Sequence, residues 1–278
     1  MGPIDGQPRS GRLWPARRTF DKLSGALNPG AWAGGVHLAG TFFPLGPCPD
    51  DLGGSIRDGR DARGPTRFPV TVGEVLAMAE GKKYKTILLF GMPGSGKGTQ
   101  GAILNGLPSL IHISMGDIFR RIPRYGKFGL EIEQYTSQGL MVPDDLTFRI
   151  FERHLLIMEM QELLMPEIHS LLLDGLPRTF TQAERLDPLL DVIQIFHLKI
   201  TDTKQAMERL RARALSENRL DDMSDEVIRR RLQTYYDETF QTLSFYRSDL
   251  ICDIDAGGRA IDVLHDIVRR LTEILPKK

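Results

Sequence analysis

KTILLFGMPGSGKGTQ, residues 85–100, joins an apolar run fit for a buried strand to a loop of small residues carrying Gly91, Gly94, Gly96 and Gly98. Glycine weakens strands and helices alike, so such a cluster needs another purpose. A loop that wraps a phosphate with backbone N–H groups at a helix N-terminus supplies one. It calls for small residues and one mobile cation, here Lys97. Gly91-x4-Gly96-Lys97 matches the phosphate-loop pattern, with Gly98 where Ser or Thr is usual and Thr99 after it. A strand–phosphate loop–helix unit implies an α/β fold.

Elements alternate from residue 69 onward. Strands are predicted at 85–90, 110–114, 170–174, 192–198 and 250–255. Helices are predicted from the glycine loop to Asn105-Gly106, from Thr201 or Asp202 to about 215, over 224–246 and over 260–274. Residues 116–164 read as helical, broken by Pro123, Gly126, Gly129, Gly139 and Pro143. Buried strand runs alternating with helices predict a five-stranded parallel sheet with both faces covered.

A phosphate loop does not name a reaction. No guanine-reading NKxD is present, and LLLDGLPRT (171–179) lacks the Asp-Glu ending of motor ATPases. Arginine stands out instead: Arg120, Arg178, Arg209, Arg213, Arg219 and Arg231 sit beside glycine turns, acid pairs or helix ends. At about 100° per residue Arg209 and Arg213 share a helix face while Arg211 points away. In the next helix Ile228, Leu232, Tyr235, Thr239 and Leu243 trace an inward stripe, with Arg231 on its flank and Arg230 on its far side. An acceptor that is itself a phosphate is already ionised and needs no general base. The obstacle is repulsion between two polyanions, which guanidinium groups reduce. Many arginines around a phosphate loop suit phosphate-to-phosphate transfer.

GMPGSGKGTQ (91–100), HISMGDIFR (112–120), GLMVPDDLT (139–147), LLLDGLPRTFTQAERL (171–186) and RLRARALSENRLDD (209–222) closely resemble the adenylate kinase family, in order and spacing. The likeness covers about residues 84–275. It implies a phosphate-loop NTPase-type core, a helical nucleoside-monophosphate-binding insertion at about 115–145, and a lid at about 213–222. Gly94, Ser95, Gly96, Lys97, Gly98 and Thr99 would cradle ATP, with Arg209, Arg213 and Gly258 on the donor side. The monophosphate would meet Met115, Arg120, Leu140, Met141, Val142, Gly175, Leu176, Pro177, Arg178, Gln182, Arg219 and Arg231. Lys97, Arg120, Arg178, Arg213, Arg219 and Arg231 would be catalytic, and Asp221-Asp222 would orient the arginines. Asp174 and Asp117 would hold waters on the magnesium that accompanies ATP. The resemblance thus implies transfer between MgATP and AMP, giving two ADP.

Two departures bear on this. Five residues separate Arg213 from Arg219, so the lid is the short kind without a zinc ribbon; the next stretch, to Arg231, is one residue longer than usual. Met115 stands where the family usually has threonine, which opens a UMP/CMP kinase as an alternative; Gln182, whose amide suits the N1 and N6 edge of adenine, opposes it. A nucleotide-binding regulatory protein without turnover is the alternative of another class.

Composition frames the rest. The chain has 278 residues and zero formal net charge, so nothing at that level suggests nucleic acid or membrane as partner. Cys48 and Cys252 form no metal-ligand spacing, which suits a reducing compartment, read as the cytoplasm, and no zinc. A monomer is expected. Residues 1–68 hold 13 of the 28 glycines, 8 of the 17 prolines and no glutamate, and they are expected to be disordered. Their arginine-rich start suits an organelle-targeting peptide, or an extension upstream of a start near Met78.

Overall fold

The structure, a computed structural model, describes residues 35–38, 41–44, 83–217, 219, 222 and 224–275. Strands β1 (Gly35–Leu38) and β2 (Thr41–Pro44) pair antiparallel, so these two short runs depart from the disorder expected of residues 1–68. The remainder of that segment, with the arginine-rich start, lies outside the described residues.

The main sheet contains β3 (Tyr84–Gly91), β4 (Leu110–Ser114), β5 (Ser170–Asp174), β6 (Leu190–Lys199) and β7 (Ile251–Asp255). All neighbours pair parallel, in the order β4-β5-β3-β6-β7. β3 lies at the centre, which explains its unbroken apolar run: both of its faces are covered. Ile87 and Leu89 pack into one layer with Leu210, Ile228 and Ile267. Leu88 and Phe90 enter the opposite layer with Phe148, Phe151 and Leu155. Period-two alternation thus feeds two cores from one strand.

The helices are α1 (Lys97–Leu104), α2 (Met115–Arg121), α3 (Lys127–Thr136), α4 (Asp144–Met160), α5 (Phe180–Leu186), α6 (Thr203–Glu217), α7 (Asp225–Thr234) and α8 (Ala260–Ile274). Asp202 caps α6, its carboxylate accepting from Lys204 N at 2.8 Å. Ser114 and Thr179 cap α2 and α5 through their hydroxyls.

Two expectations are corrected. Gly129 does not break a helix; it lies inside α3, where an added Cβ would stand 2.0 Å from the Pro123 carbonyl oxygen. It permits a close backbone approach. The long helix expected over 224–246 is α7 followed by a π-helical turn (Tyr235–Thr239) and a 3-10 turn (Gln241–Phe245). Phe240 N donates to Tyr235 O at 2.7 Å, the i to i−5 bond that widens the turn. No helix among the described residues is long and apolar enough to cross a membrane.

Candidate active site

Parallel sheets present their ligand crevices at the carboxyl ends of the strands, where neighbouring connections diverge. β3 ends in the glycine loop, β4 in Ser114 and β5 in Asp174, and all three ends open into one cleft of about 1100 Å³.

The loop forms its floor. Gly94 and Gly96 take φ of 86° and 92°, left-handed values that a Cβ would strain. A Cβ on Gly94 would also lie 2.7 Å from the Ala206 carbonyl, so α6 is packed directly against the loop. Gly96 caps α1, whose first N–H groups face the cleft end of the sheet. Lys97 Nζ donates to Gly91 O at 2.6 Å and Met92 O at 3.1 Å. Burial lowers its pKa to about 8; nearby Asp174 opposes the shift, while Arg178, Arg213 and Arg231 add to it.

Around this floor the structure gathers most residues singled out from the sequence. Gly94 to Thr99, Arg120, Arg178, Arg209, Arg213, Arg219, Arg231, Asp117, Asp174, Leu140 to Val142, Gly175, Pro177, Gln182 and Gly258 all line the cleft. Met115 and Leu176 do not. Both are packed in the apolar layer beneath the sheet with Phe148 and Phe151, because each points inward from a strand end. Met115 is 1% exposed.

Each cationic side chain is held by a specific partner. Arg120 Nη2 donates to Asp117 Oδ1 at 2.5 Å; Arg219 Nε donates to Glu217 Oε2 at 2.5 Å and approaches the Asp117 carboxylate at 3.9 Å. Burial alone would raise the pKa of Asp117; the Arg120 hydrogen bond and the surrounding guanidinium charges outweigh it and hold the pKa below the usual value. Arg178 Nε donates to Gly175 O at 3.0 Å. Arg209 donates to Ala256 O, Gly257 O and Gly258 O at 2.7, 3.1 and 3.0 Å, clamping the loop after β7 to α6. Arg213 Nε and Nη2 both donate to Asp222 Oδ2, at 3.0 and 2.5 Å, and Arg231 Nη1 donates to the other oxygen of that carboxylate. Arg211 turns to Asp225 and Arg230 to Glu226 and Gln138 O, both outside the cleft. The extra residue before Arg231 therefore leaves that arginine, not Arg230, in the cleft.

Sequence reasoning missed several contributors. Arg124 lines the cleft and pairs with Glu133 at 2.9 Å. Tyr235 lines it too, its hydroxyl 3.0 Å from His197 Nε2, while His197 Nδ1 meets Asp253 at 2.8 Å. Helix periodicity turned Tyr235 inward without assigning it to the site, where His197, 38 residues away, holds its hydroxyl; no motif marks Arg124. Asp221 lies outside the described residues.

Asp174 Oδ2 lies 3.9 Å from the position a Cβ on Gly98 would take, so a carboxylate stands beside the loop. Among the described residues no group of three or more His, Cys, Asp or Glu side chains could hold a metal ion directly. The donor set suits a hard cation carried by phosphate oxygens and water, with one or two carboxylates outside them.

A family model described as adenylate kinase matches residues 89–251. Curated relatives agree. An adenylate kinase of Cyanothece sp. is 36% identical over 198 residues, which cover 69% of this chain and 97% of that protein. One from Flavobacterium psychrophilum is 33% identical over 197 residues, 68% and 97% of the two chains. One from Micrococcus luteus is 33% identical over 195 residues, 68% and 91% of the two chains.

Proposed function

The chain belongs to the adenylate kinase family, and we propose from its cleft that it is an ATP:AMP phosphotransferase, moving the terminal phosphoryl group of MgATP to AMP and back. One observation carries the reading: Lys97, Arg120, Arg178, Arg213, Arg219 and Arg231 converge on one cleft whose floor is a phosphate loop.

The chemistry follows from charge. The AMP phosphate is an ionised nucleophile, so the site must bring two polyanions together rather than remove a proton. The loop N–H groups and Lys97 hold the donor phosphates. Arg120 and Arg178 hold the acceptor phosphate from the ends of α2 and β5. Arg213, Arg219 and Arg231 meet the charge spread over the transferring group, in a cleft where excluded water strengthens each contact. Magnesium bound with ATP neutralises phosphate charge, and Asp174, with Asp117, orients its waters. Arg209 and Gly258 flank the donor base; Leu140 to Val142 and Gln182 surround the acceptor base. Residues about 115–145 serve as the monophosphate-binding part and about 213–222 as a short lid.

The pyrimidine alternative rests on Met115, and Gln182, whose amide suits the N1 and N6 edge of adenine, opposes it. The regulatory alternative requires a pocket without turnover, against which the complete set of cationic residues argues. A monomer is the expected state, and the cysteine content suits the cytoplasm. A coupled ADP-formation assay with AMP, GMP, CMP and UMP tests the reading. Absence of turnover with every acceptor, in folded protein that binds ATP, would select the regulatory alternative.

A further inference from the structure

Gln182 and Asp144 come from different helices, α5 and α4, and meet at the acceptor end of the cleft. Gln182 is 2% exposed, so its amide cannot turn to bulk water for partners. Its Nε2 donates to Asp144 Oδ1 at 2.6 Å, and its Oε1 accepts from the backbone N–H of Arg178 at 2.7 Å. These partners are of opposite kind. A carboxylate only accepts and a backbone N–H only donates, so together they fix which end of the amide is oxygen and which is nitrogen. One N–H and one oxygen lone pair remain, in a set order. The Thr179 hydroxyl, accepting from Gln182 N at 3.1 Å, holds the residue at the first turn of α5.

We propose that Asp144 is a positioning residue that locks the Gln182 amide and thereby makes the acceptor site select amino bases over oxo bases. This rests on the reading that Gln182 faces the acceptor base. Adenine presents an acceptor, N1, beside a donor, the N6 amino group. Hypoxanthine presents the reverse, an N1–H donor beside the O6 acceptor. Cytosine and uracil differ from each other in the same sense. A freely turning amide would serve either order by rotating 180°. A locked one serves one order only, because the acceptor phosphate fixes how the base approaches. Turning Gln182 over would set its Oε1 against the Asp144 carboxylate and its amino group against the Arg178 N–H. Both contacts are repulsive.

The test uses the full chain and compares kcat/KM for AMP with IMP, and for CMP with UMP. Each pair differs at the edge in question and little elsewhere. The wild type should favour AMP and CMP within their pairs. Asp144→Asn, whose side chain can donate as well as accept, lets a turned-over Gln182 find a partner on one side. The AMP-to-IMP ratio should narrow about tenfold, chiefly through a higher kcat/KM for IMP. Asp144→Ser, which also donates or accepts and suits a helix start, should act in the same direction. The neighbouring Asp145→Asn, which breaks only an exposed pair with Arg185, should leave the ratio unchanged. A ratio constant within about twofold in both Asp144 variants, with AMP turnover intact in the wild type, overturns the lock and leaves the adenylate kinase reading standing. Equal narrowing in Asp145→Asn also overturns it. A wild type that prefers IMP or UMP overturns the lock together with the base assignment.

Discussion

Arg213 and Arg231 share one carboxylate. Asp222, whose side chain is fully buried, accepts from Arg213 on one oxygen and from Arg231 on the other, joining α6 to α7 across the loop between them. Two guanidinium groups brought this close would otherwise repel. The intervening charge holds both at one site, and in the proposed function this supplies the preorganisation that electrostatic catalysis requires.

Asp222→Asn keeps the shape and removes that charge. Turnover should fall about tenfold to a hundredfold, since a preorganised donor is worth roughly 3 kcal/mol and here two are loosened rather than deleted. Asp222→Ala should also lower thermal stability, because breaking a buried ion pair typically costs about 3 kcal/mol or more. Steady-state ADP formation and a thermal melt separate the two effects. Unchanged kcat in Asp222→Asn would show that the arginines need no such support.

Neighbouring arginines provide an internal control. Arg213→Ala and Arg231→Ala should each cut kcat by orders of magnitude. Arg211→Ala and Arg230→Ala should match the wild type, because these side chains face Asp225 and Glu226 on the outside. The four variants differ by the same atoms, so ADP formation alone decides. Equal losses for Arg211 and Arg213, or for Arg230 and Arg231, would refute the assignment of helix faces.

Gly129→Ala tests how the acceptor side is shaped. The new Cβ would meet Pro123 O at 2.0 Å and Arg124 Cα at 2.9 Å, and these backbone atoms cannot rotate away as a side chain would. Overpacking of this kind costs about 1–3 kcal/mol, more than the roughly 1 kcal/mol that alanine gains over glycine within a helix. The melting temperature should drop and KM for AMP should rise, since the displaced segment carries Arg124 into the cleft. KM for ATP should hold.

The strands were legible because their side chains are buried on both faces, and a buried parallel strand leaves an unbroken apolar run such as TILLF or SLLLD. The loop was legible because phosphate binding constrains glycines at fixed spacing. Helix periodicity sufficed to separate Arg211 from Arg213 and Arg230 from Arg231. What stayed hidden depends on contacts far apart in sequence. The burial of Met115 is set by Phe148 and Phe151, and the orientation of Gln182 by Asp144, 38 residues away; Gly129 answers to a nearer atom, the Pro123 carbonyl, through a fold of the chain that no local pattern marks. The π-turn after α7 also has no local signature: Tyr235 and Thr239 keep a helical spacing that fits either winding.

Lys97 yields the pH prediction. Burial lowers its pKa to about 8, so the free enzyme loses this charge well below the ordinary lysine range. Because the folded pKa lies under the unfolded one, the folded chain releases its proton first as pH rises from about 8 toward 10.4. Its contribution to stability therefore increases across that window, and Lys97→Met should abolish the increase. Catalysis moves the other way. In the proposed function the charged ammonium meets the donor phosphates, so kcat/KM for ATP, which reports the free enzyme, should fall above about pH 8. Bound phosphates favour the charged form, so kcat should stay level to higher pH. Lys97→Met should remove the pH dependence along with most of the turnover while the protein stays folded. Parallel pH profiles of kcat/KM, kcat and melting temperature check all three. A kcat/KM profile flat to pH 10 would mean that the loop lysine keeps its charge, and that the carbonyls of Gly91 and Met92, at 2.6 and 3.1 Å, offset its burial.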